Sequence, residues 1–404
     1  MNLPARRGRV LWSVLIVVVV LVGVAVLGSS LLSTSAPSGS GPLGAFAFST
    51  GLAAYDPSLG YVVWLLADGS TWTSAHGQWS DITAGAGVPA NMVSNSQLTY
   101  DGRDGYLLLF GGEAPFVPGY PLHYLDNTWA FEQGQWVNLT ATVRGAPAPG
   151  RVGVMTYDSE DQYVLMFGGA PNTGSRPGNA TNVTWMYAGG VWSNSSAPAP
   201  PPFASPSGSD PFVGFTDDPT DGYVLYYNSL VSCPGRCSIT WTYAGGVWTN
   251  RTAAIAPSPY LVLLDAFTFD STSGTVVAES GCESTAGYTC AHDYGTFSFS
   301  AGRWTDVTPT TVSTDREDNG FANDPSNSGV IIAGGCCWAD FSGLSLGWQD
   351  VWVYAHGTWT ESEPWGGGNP SWWQNNGVWV SFAIALASVT AVVLAARTEG
   401  RPGP

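Results

Sequence analysis

From about residue 45 to 363 the hydrophobic pattern is a procession of short runs broken by polar, glycine-bearing turns. The clearest stretch reads Thr184-Trp185-Met186-Tyr187-Ala188-Gly189-Gly190-Val191-Trp192-Ser193-Asn194, and it returns almost unchanged from Thr240 to Asn250. Alternating aromatic and small residues around a Gly-Gly turn predict a β-hairpin in which Tyr187 and Trp192 pair across the strands. Two more strands precede each hairpin. The first ends in an aromatic-Asp pair or its relic: Tyr55-Asp56, Tyr100-Asp101, Tyr157-Asp158, Asp217-Asp218, Phe269-Asp270 and Asn323-Asp324. A tight turn leads to the second, an unbroken apolar run such as the stretches from Tyr106 to Phe110 or from Tyr163 to Phe167. A strand apolar at every position is expected where both faces are covered.

The register of these units is tight. An aromatic residue stands seven positions before the last Trp of each unit: Trp72 and Trp79, Trp129 and Trp136, Trp185 and Trp192, Trp241 and Trp248, Phe297 and Trp304, Trp352 and Trp359. Those last Trps are spaced 57, 56, 56, 56 and 55 residues apart. Six units of four short strands at this period predict an all-β fold, a six-bladed β-propeller of four-stranded blades. The strand-ending pairs Gly111-Gly112, Gly168-Gly169 and Gly334-Gly335, with the downstream aromatic and Trp, resemble the Kelch propellers, among them the central domain of galactose oxidases. The resemblance spans about residues 45 to 363. Units 1, 4 and 5 lack the Gly-Gly pair, and the step from Tyr187 to Trp192 is one residue shorter than the usual Kelch spacing.

Outside the repeat the pattern changes to long apolar segments. Residues 10–32 are nearly all apolar and long enough to span a bilayer, and residues 378–396 have about the minimum spanning length. Arg6, Arg7 and Arg9 precede the first, and Arg397 and Arg401 follow the second. That asymmetry predicts both tails inside the cell and everything between them outside. Trp365, Trp372, Trp373 and Trp379 mark the outer boundary of the second span, as an aromatic belt would. The expected order is a cytoplasmic tail (1–9), a span (10–32), a linker (33–44), the propeller (45–363), a Gly/Trp-rich linker (364–377), a span (378–396) and a cytoplasmic tail (397–404). The alternative for the first segment is a signal peptide cut after Thr34-Ser35-Ala36. Both versions place the repeat at the cell membrane, facing outward.

Charge narrows the partners. The chain holds no lysine; its 13 basic residues are all arginines, and the net charge is -17. Between residues 40 and 376 there are 29 acids and 8 arginines, a balance of -21. Such a field repels nucleic acid and favours cations or cationic partners.

Strands alternate in direction, so the loops between second and third strands, the links between units and both chain ends share one face. The irregular chemistry gathers in those second-to-third loops. Phe116, Tyr120, His123, Tyr124, His292, Trp338, Phe341 and Trp348 are the ligand-binding candidates there. All six cysteines, Cys233, Cys237, Cys282, Cys290, Cys336 and Cys337, fall in the same loops of units 4 to 6. In an exported chain they point to structural disulfides, and the pairing is open. The competing reading is a thiolate metal site with His292, but the spacing fits no zinc pattern. His76 and His356 occupy a turn slot that elsewhere holds Gly or Ala, so they read as turn residues.

No cofactor is predicted. Ca²⁺ is the ion that the acidic turns would attract. Copper is what the galactose oxidase resemblance implies, there held by histidines and tyrosines, yet no such His/Tyr/Cys set carries over. The turn aspartates, Asp56 to Asp324, read first as residues that hydrogen-bond their own backbone. Sequons occur at Asn138, Asn179, Asn182, Asn194 and Asn250. Asn138, Asn194 and Asn250 sit two residues after a final Trp, where Asp81 and Asp306 also appear, which predicts a side-chain clasp at the strand end. Asn179 and Asn182 lie off the repeat and are the better glycosylation candidates. No nucleophile, base and oxyanion set can be assembled from spacing, so no catalytic residue is assigned and enzymatic activity is left open. The reading is a surface binding protein for a protein or glycan; the alternatives are a propeller enzyme, either a copper oxidase or a glycan-active hydrolase or lyase, and a structural envelope component.

Overall fold

A computed structural model describes residues 51–362, except 67, 88–94, 115–122, 172–179, 196–200, 203–212, 230–237, 256–258, 260, 262–263, 281–283, 286–288, 291–294, 310–319 and 335–350. Both predicted membrane spans lie outside the described residues. Among the described residues no helix is long and apolar enough to cross a membrane.

The repeat builds six four-stranded antiparallel sheets, each from one contiguous stretch of chain. Strands a to d are Leu52–Asp56, Tyr61–Leu65, Thr71–Ala75 and Gln78–Asp81 in blade 1, and Ser96–Asp101, Tyr106–Glu113, Tyr124–Glu132 and Gln135–Asn138 in blade 2. Blade 3 comprises Val154–Asp158, Tyr163–Phe167, Thr184–Ala188 and Val191–Ser195, and blade 4 Val213–Asp218, Tyr223–Asn228, Ile239–Ala244 and Val247–Asn250. Blade 5 comprises Leu264–Asp270, Thr275–Ser280, Gly295–Ser300 and Arg303–Asp306, and blade 6 Gly320–Asp324, Gly329–Ala333, Val351–Ala355 and Thr358–Ser362. Each a strand touches the a strands of both neighbouring blades, and those of blades 1 and 6 meet, so the ring closes. Among the described residues it closes by packing, with no strand exchanged between first and last blades.

The b strands are buried along nearly their whole length, since both their faces pack on adjacent blades. Leu107 and Leu109, for example, join Val63 and Leu65 of blade 1, whereas Leu108 and Phe110 join Val164 and Met166 of blade 3. The c–d hairpins have the expected register, with Tyr187 opposite Trp192 and their rings 5.1 Å apart. All six c–d turns hold both central residues at positive φ, as a type I′ turn requires, and His76 and His356 are such turn residues.

Two side-chain devices recur. At the a–b turns, the buried Asp accepts backbone N–H groups from its own turn: Ser58 N to Asp56 Oδ1 (2.9 Å), Arg103 N to Asp101 (3.0 Å), Asp161 N to Asp158 (3.0 Å), Thr272 N to Asp270 (2.8 Å) and Ser326 N to Asp324 (3.1 Å). At the end of strand d, Asp81, Asn138, Asn250 and Asp306 each accept the N–H two residues on, at 2.9 to 3.0 Å. The Thr that supplies it, such as Thr140, then receives a backbone N–H of strand c, Thr128 N, at 3.0 Å. The sequons at Asn138 and Asn250 are therefore parts of a strand clasp; Ser196 of the third repeat sequon lies outside the described residues, as does Asn179.

Blades are pinned to each other by the last Trp. Trp136 Nε1 donates to Thr71 Oγ1 of the preceding blade (3.0 Å), Trp248 to Thr184 (2.9 Å) and Trp359 to Thr296 (2.8 Å). Thr296 passes the chain on by donating to the buried Glu279 (2.8 Å). The equivalent pairs, Trp192 with Thr128 and Trp304 with Thr240, are buried without closing the bond. At the junction of blades 6 and 1 the Thr position holds Val351, and the rings of Trp79 and Trp64 pack tilted against each other with centroids 5.1 Å apart.

Candidate functional site: the central channel

The six a strands leave a central cavity of about 920 Å³. Antiparallel order fixes its two mouths. One lies among the a–b turns. The other lies among the b–c loops, where the described chain also begins, at the start of strand a of blade 1, and ends, after strand d of blade 6.

The b–c mouth is polar at blades 2 and 3. Asn95, Gln97, Glu113 and Arg151 line it. Two exceptions to the repeat place them. Strand b of blade 2 runs on past its Gly-Gly pair to Glu113, which pairs with Tyr124 across a register shift. The link into blade 3 forms a short strand, Gly150–Arg151, against Ala170–Pro171 of the blade 3 b–c segment. Asn95 braces the two: its Nδ2 donates to Gly150 O (3.0 Å) and its Oδ1 accepts Val152 N (3.2 Å). Packing there leaves no room for side chains at Gly111 and Gly169, whose added Cβ would meet neighbouring atoms at 2.3 and 2.5 Å. Arg151 Nε donates to Tyr124 Oη (3.2 Å), and Tyr124 is buried. Burial holds the Glu113 carboxyl above its ordinary range, opposed by the positive charge of Arg151. In a chain with 11% charged residues, an acid and a base both facing one cavity form a distinctive pair.

The a–b mouth is a ring of six equivalent positions, each just before the turn Asp: Tyr55, Tyr100, Tyr157, Asp217, Phe269 and Asn323. Each belongs opposite the first turn residue of the preceding blade, and the two residue types are matched. The Tyr157 ring lies on Gly102, where a Cβ would be 2.8 Å from Cε1. Asn323 Oδ1 accepts Ser271 N (3.1 Å) and Ser271 Oγ (3.2 Å). Asp217 is held in the same manner by the N–H and hydroxyl of Ser159. Tyr157 thus faces Gly102, and the polar acceptors Asn323 and Asp217 face Ser; in the same register Tyr55, Tyr100 and Phe269 correspond to Pro325, Pro57 and Pro219. Asp217 is half-buried, and burial pushes its carboxyl up to about 7 against the lowering effect of Ser159. The buried turn acids Asp101, Asp158 and Asp218 are pushed up to about 6, again by burial, with their backbone hydrogen bonds opposing it.

Of the loop residues that the sequence singled out, Tyr124 sits behind the site and positions Arg151. His123 is exposed and does not line the cavity; its carbonyl accepts Ala114 N (2.9 Å) and closes the neck of the blade 2 loop. Phe116, Tyr120, His292, Trp338, Phe341, Trp348, Cys233, Cys237, Cys282, Cys336 and Cys337 lie outside the described residues. Cys290 ends a short strand, Thr289–Cys290, paired with Ser284–Thr285. Among the described residues no three His, Cys, Asp or Glu side chains come together as a metal cluster. Sequence reasoning missed Glu113, Arg151 and Asp217. The available signal was a charged residue interrupting the repeat: Glu113 directly after Gly111-Gly112, and Asp217 at an otherwise uncharged position.

No protein-family model matches the chain, and no curated protein matches it. Solved structures do. The structure of YjhT is similar with a TM-score of 0.51 at 13% identity, covering 78% of this chain and 98% of that one. The GH74 xyloglucanase from Xanthomonas campestris follows at TM-score 0.43 and 14% identity, covering 78% of this chain and 45% of that one. A protein of unknown function from Dyadobacter fermentans has TM-score 0.41 and 14% identity, with 78% and 93% covered. What this chain shares with YjhT is a fold. It is a six-bladed β-propeller.

Proposed function

We propose that this chain is a membrane-anchored, exported, Kelch-like propeller that binds the polyhydroxylated end of a cell-surface glycan in the b–c mouth of its channel. The observation carrying this reading is the Glu113–Arg151 pair on the wall of a cavity of about 920 Å³. That size suits a small polar molecule, of the kind that pockets of roughly 300–1,000 Å³ take, better than a protein surface. The acid and base offset one another, which favours a neutral ligand. Sugar hydroxyls both donate and accept, matching an Arg donor, a carboxylate acceptor and the two-way amide of Gln97. Tyr124 fixes the guanidinium in advance, which lowers the ordering cost of binding. Both termini would be cytoplasmic, and the b–c face would turn toward the bilayer, since both linkers leave from it.

The test is calorimetry of full-length protein in detergent with neutral oligosaccharides. Arg151→Ala should weaken binding about ten-fold or more, in line with loss of a charged hydrogen bond, and Tyr124→Phe by less. Absence of saccharide binding, or binding indifferent to both variants, refutes the reading. A second reading, a propeller enzyme, draws on the Glu113 carboxyl, which burial raises above its ordinary range, since a carboxyl that holds its proton more firmly can serve as a general acid. Turnover of a bound saccharide, abolished by Glu113→Gln, would favour it.

A further inference from the structure

We propose that the a–b mouth of the channel, opposite the glycan site, takes an organic cation, with Asp217 as its counter-ion. The proposal does not rest on the glycan reading. Six equivalent positions form this mouth, and Asp217 is the one with a formal charge. Its neighbours around the ring are Tyr157 on blade 3 and Phe269 on blade 5, so the carboxylate stands between two aromatic side chains. A carboxylate and aromatic side chains that line one cavity together suit an alkylammonium group.

The structural duty of Asp217 does not need its charge. Blade 6 performs the same duty with Asn323, which accepts the N–H and hydroxyl of Ser271 as Asp217 accepts those of Ser159. An Asn at 217 would keep that clasp. The carboxylate therefore adds something the clasp does not require, and it does so at a cost. The charged groups that Asp217 faces are Asp158 on blade 3 and Asp218 on its own strand, both acids, with Tyr157 beside them. Arg103, exposed on the turn of blade 2, acts on Tyr157. Arg151 lies at the other mouth. A cation entering here would offset the repulsion that Asp158 and Asp218 exert on Asp217, and the net charge of the chain would draw it in. Aromatic flanks and a single facing carboxylate, with no three-ligand cluster among the described residues, favour an organic cation over a metal ion.

The probe is choline, compared with its uncharged isostere 3,3-dimethylbutan-1-ol, titrated into full-length protein in detergent at pH 8. Choline should bind about ten-fold or more tightly than the alcohol, as a desolvated cation–π and ion-pair contact implies. Its affinity should fall as the pH drops below 7, where Asp217 takes up a proton. Asp217→Asn should lose that preference while melting no lower than the parent at that pH. Phe269→Leu, which leaves the Ser159 clasp intact, should weaken choline several-fold and gives a second route should Asp217→Asn fold poorly. Equal binding of choline and alcohol, unchanged choline affinity in Asp217→Asn, or no choline binding overturns the proposal. None of these outcomes depends on Arg151, so failure here and failure of the glycan reading are separable.

Discussion

Thr71→Val tests whether the Trp–Thr bonds between blades hold the ring together. Thr71 and Trp136 are 0% and 7% exposed, and the indole N–H donates to the hydroxyl at 3.0 Å. Valine is nearly isosteric, so packing is kept and the Trp136 N–H is left buried without an acceptor. That costs about 1–3 kcal/mol. Exchanging the hydroxyl for a methyl returns part of it, about 0.8 kcal/mol at the usual value for a buried carbon. The net expectation is a loss of about 1–2 kcal/mol. At about 2.1 cal/mol/K per residue over some 310 residues, 1.5 kcal/mol lowers Tm by only about 2 °C. Urea unfolding followed by Trp fluorescence is therefore the better assay. The control is built into the fold. Thr128 is equally buried, yet its hydroxyl and the Trp192 N–H form no bond. Thr128→Val should cost about nothing, or stabilise slightly, because it removes an unsatisfied buried hydroxyl. If Thr128→Val destabilises as much as Thr71→Val, the hydrogen bond is not what pins the blades and the reasoning fails.

Three more outcomes follow from the same structure. Asp101, Asp158 and Asp218 are raised to about 6 and Asp217 to about 7, above the unfolded value of 3.8. Groups raised in this way stabilise the fold fully below the unfolded value and lose that contribution as pH climbs through the folded one. Thermal unfolding should occur at higher temperature near pH 4.5 than at pH 7.5, and Asp217→Asn should flatten the upper part of that dependence. Gln162 closes its a–b turn at a φ of 60°, where Gly60, Gly105, Gly222 and Gly274 stand in other blades. Gln162→Gly should stabilise by roughly 0.5–1 kcal/mol, the relief of left-handed strain less the entropy of glycine, read from urea midpoints. Asn138→Asp should leave stability unchanged, because Asp81 and Asp306 make the same clasp, whereas Asn138→Ala should cost about 1 kcal/mol in the same measurement.

Much of the fold was legible because the repeat is a ruler. The 55–57-residue spacing of the last Trps named six blades, and the tight Tyr187–Trp192 hairpin, the Asp turns and the strand-end clasp all follow from local rules that one unit contains. The site was legible only as a region. The b–c loops were picked out for their aromatics, yet the one described loop residue that bears on the site, Tyr124, acts from behind. Arg151 and Glu113 are 38 residues apart and belong to different blades; only the Asn95 brace and the two-residue strand pair bring both to the mouth. Register within a unit is a sequence property, whereas convergence on the channel is a property of the ring.

The ring also explains how one position can be structural in five blades and available for chemistry in the sixth. The residue before each turn Asp must satisfy the first turn residue of the neighbouring blade. Opposite Gly102, the ring of Tyr157 does so by contact. Opposite Ser, an acceptor is needed, and both Asn and Asp supply one. The packing rule is thus degenerate at blades 4 and 6, and it leaves the choice between a neutral and a charged acceptor undetermined. Asn323 resolves it in the direction that costs least. Asp217 resolves it the other way, inside a mouth already crowded with acids, and packing gives no reason for that choice. A function at this mouth does, and the same logic applies to Glu113, which extends a strand beyond the Gly-Gly pair where the blade itself needs no further residue.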